Sequence, residues 1–300
     1  MNENAVIQST NGNITFADIT NSFKEIGISS GDTLFIHSCL FSFGRPVGEC
    51  TKEGFANIFI EAILSVIGSE GTLIVPTFTL SFCKTGFFDS IHSKSEVGLL
   101  SEVFRQRNNI VRSSHPIYSV AVMGKDKDYY LSACTTNCSG VGSLFDLIHQ
   151  KSTVKIMLLG LEVPATTQFH YVEEQAKVPY RHIKNFTGTV DGKPAAVDVY
   201  VRNRQVVPTP QIDQSKFRSF FEEHKHLLKK TTLGDGTVMV IEEKDMHQLL
   251  WKKMKEDPNY FLNEPYPRAV NSSQQIEGYI YEEINRNSSV IIQPREAPPS

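Results

Sequence analysis

Short apolar runs alternate with helical stripes along most of the first 160 residues, and this alternation constrains the fold more than any other feature. Thr33-Leu34-Phe35-Ile36-His37-Ser38 reads as a buried strand entered through the Gly31-Asp32 turn. Thr51 is placed to cap a helix running to Ile67, with apolar positions at Phe55, Ile58, Ile60, Ile63 and Ile67. Gly71 opens a second strand over Thr72–Pro76, residues 96–107 read as a helix and Ile117–Met123 as a strand. A short helix over Leu144–His149 precedes the strand that starts at Val154 and stops at Gly160. Ahead of all these, the stripe Phe16, Ile19, Phe23, Ile26 marks a first helix. Strands separated by helices predict a layered α/β domain with a mostly parallel central sheet.

The rhythm changes after Pro179. Two β-rich runs near 185–201 flank Asp191-Gly192, the strongest short-range hairpin signal a sequence carries. Helices near 213–229 and 245–256, with a strand over Thr237–Glu242 between them, complete a smaller β-hairpin and helical C-terminal portion. The expected organisation is one domain over residues 1–262 and a polar, Pro-punctuated extension over 263–300.

Composition narrows the class. Of 300 residues, 40% are hydrophobic and 21% charged, ordinary for a globular chain, and a net charge of −3 gives nucleic acid no electrostatic footing. No apolar run is long enough to cross a bilayer, and Met1-Asn2-Glu3-Asn4 lacks the features of a secretory signal. The five cysteines are odd in number and lack zinc-ribbon spacing, which fits reduced thiols in a cytoplasmic protein and no metal.

The most informative chemistry follows the strand at 154–160. In Thr166-Thr167-Gln168-Phe169-His170-Tyr171-Val172-Glu173-Glu174 the threonines are placed to cap a helix, and His170 and Glu173 share one of its faces. An imidazole beside a carboxylate near a helix start is a candidate general base, its pKa expected to be raised towards neutrality. Against it stands a solvated surface pair, the commoner outcome of that spacing. A glycine-bearing loop over Cys39–Cys50, with Gly44 and Arg45, is placed between a strand and a helix where backbone amides can hold an anion. Arg112-Ser113-Ser114-His115-Pro116 gathers arginine, hydroxyls and imidazole ahead of a strand, a candidate phosphate site or a turn bonded to backbone. A hydrolase pairing Ser38 or Cys39 with His170 is the alternative of another class, though Gly-x-Ser-x-Gly is absent.

Taken in order, five segments resemble the aminoglycoside 3-N-acetyltransferase (antibiotic N-acetyltransferase) family: Gly31-Asp32-Thr33…His37-Ser38-Cys39-Leu40…Gly44, Gly71-Thr72-Leu73…Pro76-Thr77-Phe78-Thr79, Arg112-Ser113-x-His115-Pro116, Thr167-x-x-His170-x-x-Glu173 and Asp257-Pro258-Asn259-Tyr260-Phe261. The resemblance implies an acyl-coenzyme A co-substrate, an amino-sugar acceptor and no metal. It implies His170 as base with Glu173 beside it, and Ser38, Gly44, Arg45, Arg112 and Ser113 on the donor. Thr77, Phe78, Lys177 and Arg181 are expected on the acceptor side. The sequence departs from the family's pattern where Cys39 replaces a second serine and where Val47-Gly48-Glu49 keeps one glycine of a pair. Lys84, Lys177 and Arg181 offset Asp89, Glu173 and Glu174 in the candidate acceptor segments. That balance favours a nucleotide-linked amino sugar of surface-polysaccharide synthesis over an aminoglycoside antibiotic, which is the alternative.

Overall fold

The computed structural model describes residues 4–203 and 210–266, and the backbone of three short strands beyond them. The chain opens with β1 (Ala5–Ser9), β2 (Gly12–Thr15), α1 (Phe16–Glu25), β3 (Thr33–Ser38), β4 (Arg45–Pro46), α2 (Lys52–Ile67) and β5 (Thr72–Pro76). It continues through α3 (Phe82–Thr85), β6 (Phe87–Phe88), α4 (Leu99–Arg105), β7 (Val111–Arg112), β8 (Val120–Gly124), α5 (Lys127–Leu131), α6 (Leu144–Gln150) and β9 (Val154–Leu159). Then come α7 (Phe169–Ala176), β10 (Arg181–Val190), β11 (Lys193–Arg202), α8 (Gln214–Glu223), β12 (Lys229–Leu233), β13 (Gly236–Glu242) and α9 (Glu243–Glu256).

The central sheet has seven strands in the order β12-β13-β9-β3-β5-β8-β7. Its parallel character is confined to the centre, where β3 pairs with β5 and with β9. The flanking pairs β5–β8, β7–β8, β9–β13 and β12–β13 are antiparallel, so the mostly parallel sheet read from the sequence is a mixed one. The reason is connection length. The tight turn at Gly234-Asp235 folds β13 back on β12, whereas a parallel neighbour requires a crossover. The helix expected near 213–229 stops at Glu223, β12 starts at Lys229 where that expectation ended, and the β1–β2 ribbon carried no sequence expectation.

Alternation along the central strands sorts side chains into two cores. Leu34 and Ile36 of β3, Leu73 and Val75 of β5, and Met157 and Leu159 of β9 face one cluster with α1, α2 and α4. Phe35, Ile74, Ile156 and Leu158 face the other, with α6, α7, α8 and α9. This period of two, closed by helices on both faces, produces the three-layer sandwich. Helix α2 shows how locally the layers are specified. Thr51 caps it by accepting the Gly54 amide at 3.0 Å, and Phe55, Ala56, Phe59, Ile60, Ala62 and Ile63 form its buried face.

The hairpin is longer than its sequence signal, pairing Arg181↔Arg202 at its open end and Val190↔Lys193 at the turn. The extension over 263–300 falls largely outside the described residues, apart from the antiparallel strands β14 (Gln275–Ile276), β15 (Tyr279–Tyr281) and β16 (Ile292–Pro294). Among the described residues no helix is long and apolar enough to cross a membrane.

Candidate active site

Helix α7 hangs from the C-terminal end of β9, beside the end of β3. Neither threonine caps it. Gln168 occupies the cap position without a side-chain bond to the helix, and the His170 amide bonds the Thr167 carbonyl. The pairing expected on the helix is present. His170 Nδ1 lies 2.7 Å from Glu173 Oε2, with Glu173 fully buried and 29% of the His170 side chain exposed. It is therefore not a solvated surface pair.

A third residue joins them. Arg181 begins β10, its side chain only 7% exposed, and places Nε 2.8 Å from the same Glu173 oxygen. Its NH1 donates to the Tyr200 carbonyl of β11 at 2.9 Å, while the Tyr200 hydroxyl donates to the Val178 carbonyl at 2.8 Å. The hairpin thus delivers a cation onto the back of the carboxylate. Arg181 NH2 also lies 3.1 Å from His170 Nδ1. One ring nitrogen cannot both donate to Glu173 and accept from Arg181. The shorter, charge-assisted contact assigns the proton to Nδ1, and Arg181 acts on the ring through its charge. The Nε2 lone pair is then the basic one.

The electrostatics follow from this sharing. Burial works to raise the Glu173 carboxyl, but Arg181's charge and the His170 bond outweigh it and hold the group at about 2. Burial lowers the His170 pKa below the usual histidine value, Arg181 lowers it further, and Glu173 opposes both. The upward shift expected from the sequence is overturned, first because the ring is buried and second because Arg181's charge stands beside it.

The remaining expected residues are spread over several strands and loops. Ser38 ends β3 and is partly buried; Cys39 is exposed at its side chain, and its amide donates to the Leu159 carbonyl at 2.8 Å. Among the described residues no hydrogen bond joins either to His170. Gly44 presses on the ribbon, where an added Cβ would meet the Gln8 carbonyl oxygen at 2.3 Å, and Arg45 is exposed in β4. Arg112 commits its guanidinium to protein acceptors: Thr77 Oγ1 and Ser119 Oγ at 3.1 Å, Thr79 Oγ1 at 2.8 Å, and the Thr77 and Ser93 carbonyls. Ser113 Oγ accepts the Val120 amide at 3.0 Å. His115 accepts the Ile117 and Tyr118 amides on Nδ1 and donates Nε2–H to the Asn137 carbonyl at 3.0 Å, the structural role rather than the catalytic one. Thr77 and Phe78 are buried, and Lys177 is exposed at the left-handed C-cap of α7. Among the described residues, no group of three or more His, Cys, Asp or Glu side chains is arranged to hold a metal ion.

Two features had no place in the sequence expectations. His37, at the end of β3, brings Nε2 to 3.4 Å from Thr167 Oγ1, tying the strand to the loop that carries His170. Its signal was present in His37-Ser38-Cys39-Leu40 but was read for the serine. An open groove of about 470 Å³ lies beyond the same strand ends, lined by Ser42, Gly160, Glu162, Arg218 and Thr237 among others. None of the residues expected on donor or acceptor lines it.

The sequence profile described as aminoglycoside 3-N-acetyltransferase matches residues 35–255. Aminoglycoside N(3)-acetyltransferase IV of Salmonella sp is 27% identical over 256 residues, 83% of this chain and 90% of that protein. The crystal structure of aminoglycoside acetyltransferase AAC(3)-IVa superposes with a TM-score of 0.67 at 25% identity, covering 83% of this chain and 92% of the other. A further structure of that enzyme is a complex of a mutant with a gentamicin. AAC-IIIb, solved as a binary complex with CoASH, shares the fold at a TM-score of 0.67 and 16% identity, covering 85% and 99% of the two chains.

Proposed function

The chain belongs to the aminoglycoside 3-N-acetyltransferase family, and from that premise we propose that it moves an acyl group from acyl-coenzyme A to an amine of an aminoglycoside, with His170 as general base. The His170–Glu173–Arg181 arrangement carries this reading. The co-substrate supplies an activated thioester carbonyl, and the task left to the chain is to deprotonate and orient the attacking amine. With Nδ1–H held by Glu173, Nε2 accepts that proton. A lowered pKa keeps the ring neutral and ready at pH 7. Glu173, ionised down to about pH 2, stabilises the imidazolium as it forms. The amine attacks the thioester directly, the thiolate leaves, and no acyl-enzyme is needed.

Ser38 and Arg45 are our candidates for the donor, since both lie around the loop that leaves β3 and Arg45 is exposed. Gly44 and Ser113 shape that side through backbone packing. Arg112, its donors already engaged, acts by holding the loops at Thr77–Thr79 and Ser93 rather than by grasping a phosphate. Phe78 belongs to the wall of the acceptor side, and Lys177 to its rim.

The acceptor reading departs from the charge balance of the sequence. Of the three cations that favoured a nucleotide-linked amino sugar, Arg181 is occupied by Glu173 and has no face to offer a diphosphate. Family membership and the gentamicin complex of AAC(3)-IVa support an aminoglycoside instead. Thiol release from acetyl-coenzyme A, measured with aminoglycosides, simple amino sugars and nucleotide-linked amino sugars, tests this. The highest kcat/KM is expected with an aminoglycoside. A nucleotide sugar that outranks them all would replace the acceptor and leave the transfer chemistry standing. Thiol release that needs no amine would replace the transfer with thioester hydrolysis at Ser38 or Cys39.

A further inference from the structure

Two residues before His170, Gln168 is fully buried on the opposite side of α7. At 100° per residue the two positions differ by about 200° around the helix. Gln168 Nε2 donates to Glu243 Oε1 at 2.7 Å and to the Phe145 carbonyl of α6 at 3.1 Å. Glu243 is the first residue of α9 and is itself fully buried. It also receives Nδ1–H of His149, from α6, at 3.0 Å. The His149 ring lies on that of His247 with centroids 3.9 Å apart. Tyr171, the next residue of α7 on the Gln168 side, donates to Asp146 Oδ1 at 2.8 Å. Helices α6, α7 and α9 therefore meet in a buried polar node directly behind the start of the catalytic helix.

The node is not explained by stability. A buried carboxyl at a junction of three helices gives up hydration that an apolar side chain would not need, and buried charges are weak devices for stability. Gln168 has a further cost, because its Oε1 is buried with no hydrogen-bond partner among the described residues. Helix α7, meanwhile, has only eight residues and no side-chain cap. A helix that short does not hold its own orientation in water.

We propose that Gln168 and Glu243 are positioning residues: the bond between them fixes the rotation of the first turn of α7, and so the direction in which His170 presents Nε2. This rests on His170 being the base. Anchoring the back of the turn sets the front, and a displacement of about 1 Å at a reacting group can cost about 10²-fold in rate. The charged groups facing His170 are Glu173 on its own helix, Arg181 of β10 and Arg202 of β11; the titratable groups facing Glu243 are His149 and His247.

Three variants of the full chain test the proposal. Gln168→Met removes the donor at similar volume, Glu243→Leu removes the acceptor, and Glu243→Gln keeps an acceptor for Gln168 and a partner for His149. The readouts are the NMR titration of the His170 ring, kcat, and KM for acetyl-coenzyme A. In Gln168→Met and Glu243→Leu the loosened turn exposes the ring, so its titration should rise towards the ordinary histidine range. Their kcat should fall by about 10–10²-fold with little change in KM, and Glu243→Gln should restore both readouts. Should Glu243→Leu fail to fold, Gln168→Met and Glu243→Gln decide alone. A folded Gln168→Met chain with the wild-type His170 titration overturns the proposal, whatever its kcat. If the wild-type chain transfers to no amine, the proposed function fails, while the titration still decides whether the node positions His170.

Discussion

At the scale of single residues, the site is a histidine and an arginine sharing one carboxylate, that of Glu173. Replacing His170 with Ala should leave a folded chain that binds coenzyme A but loses about 10²–10⁴-fold in kcat. Near-normal turnover by that variant would remove His170 from the mechanism. Because its pKa lies below the usual value, the wild-type kcat/KM should rise with pH through a limb below pH 6.5 and then level off. A limb above about 7 that His170→Asn abolishes would contradict the buried ring beside Arg181. Glu173→Gln makes the complementary test. It strands the Arg181 charge in a buried setting, at a cost of about 3–5 kcal/mol seen in the denaturant midpoint. It also removes the group that opposes burial, so the His170 titration should move lower still. The His170–Glu173 pair was legible in the sequence because three residues of helix place both on one face. Arg181's role was not, because nothing local says that the strand it begins returns against that helix.

At the scale of elements, the β10–β11 hairpin is what makes the site a triad. Its turn places Asp191 and Gly192 at φ 48° and 76°, the positive pair that a two-residue turn of this hand requires. Gly192→Val forces a β-branched residue into that region and should cost about 1–2 kcal/mol. The tip is tied to β6 through the Asp191 amide and the Phe88 carbonyl at 3.0 Å, while Arg181 sits at the open end. Hydrogen exchange should therefore quicken at 187–196 in this variant and stay slow around Arg181, with kcat retained. Uniform protection along the hairpin would show that the turn does not set its register. The sheet makes the converse point: its central strands were legible as apolar runs, but the direction of their neighbours depends on connections that apolar patterning does not encode.

At the scale of the molecule, burial has left several histidines uncharged in the folded state. His37, His115 and His247 are each lowered to about 4, mainly by desolvation. An unfolded chain takes up these protons near pH 6.5, whereas the folded one resists until about 4. Across that window the unfolded state binds more protons, so stability falls as pH falls. Glu173 extends the loss from its ordinary 4.5 down to about 2. Urea midpoints taken at pH 7.5, 6 and 5 should decline in that order, and a flat series would mean that these rings are hydrated in the fold.

Local pattern alone determined the alternation of strands and helices, the cap at Thr51, the Asp-Gly hairpin and the His170–Glu173 face. Each depends on residues within a few positions of one another, where helical or pleated periodicity is the whole argument. Tertiary structure alone decided that Arg112 spends its donors on Thr77, Thr79 and Ser119, and that Arg181 is paired with Glu173. It also decided that Gln168 reaches Glu243 across 75 residues of chain. A side chain's charge can be read from its letter. Whether that charge faces solvent or a partner depends on which distant segment folds back on it.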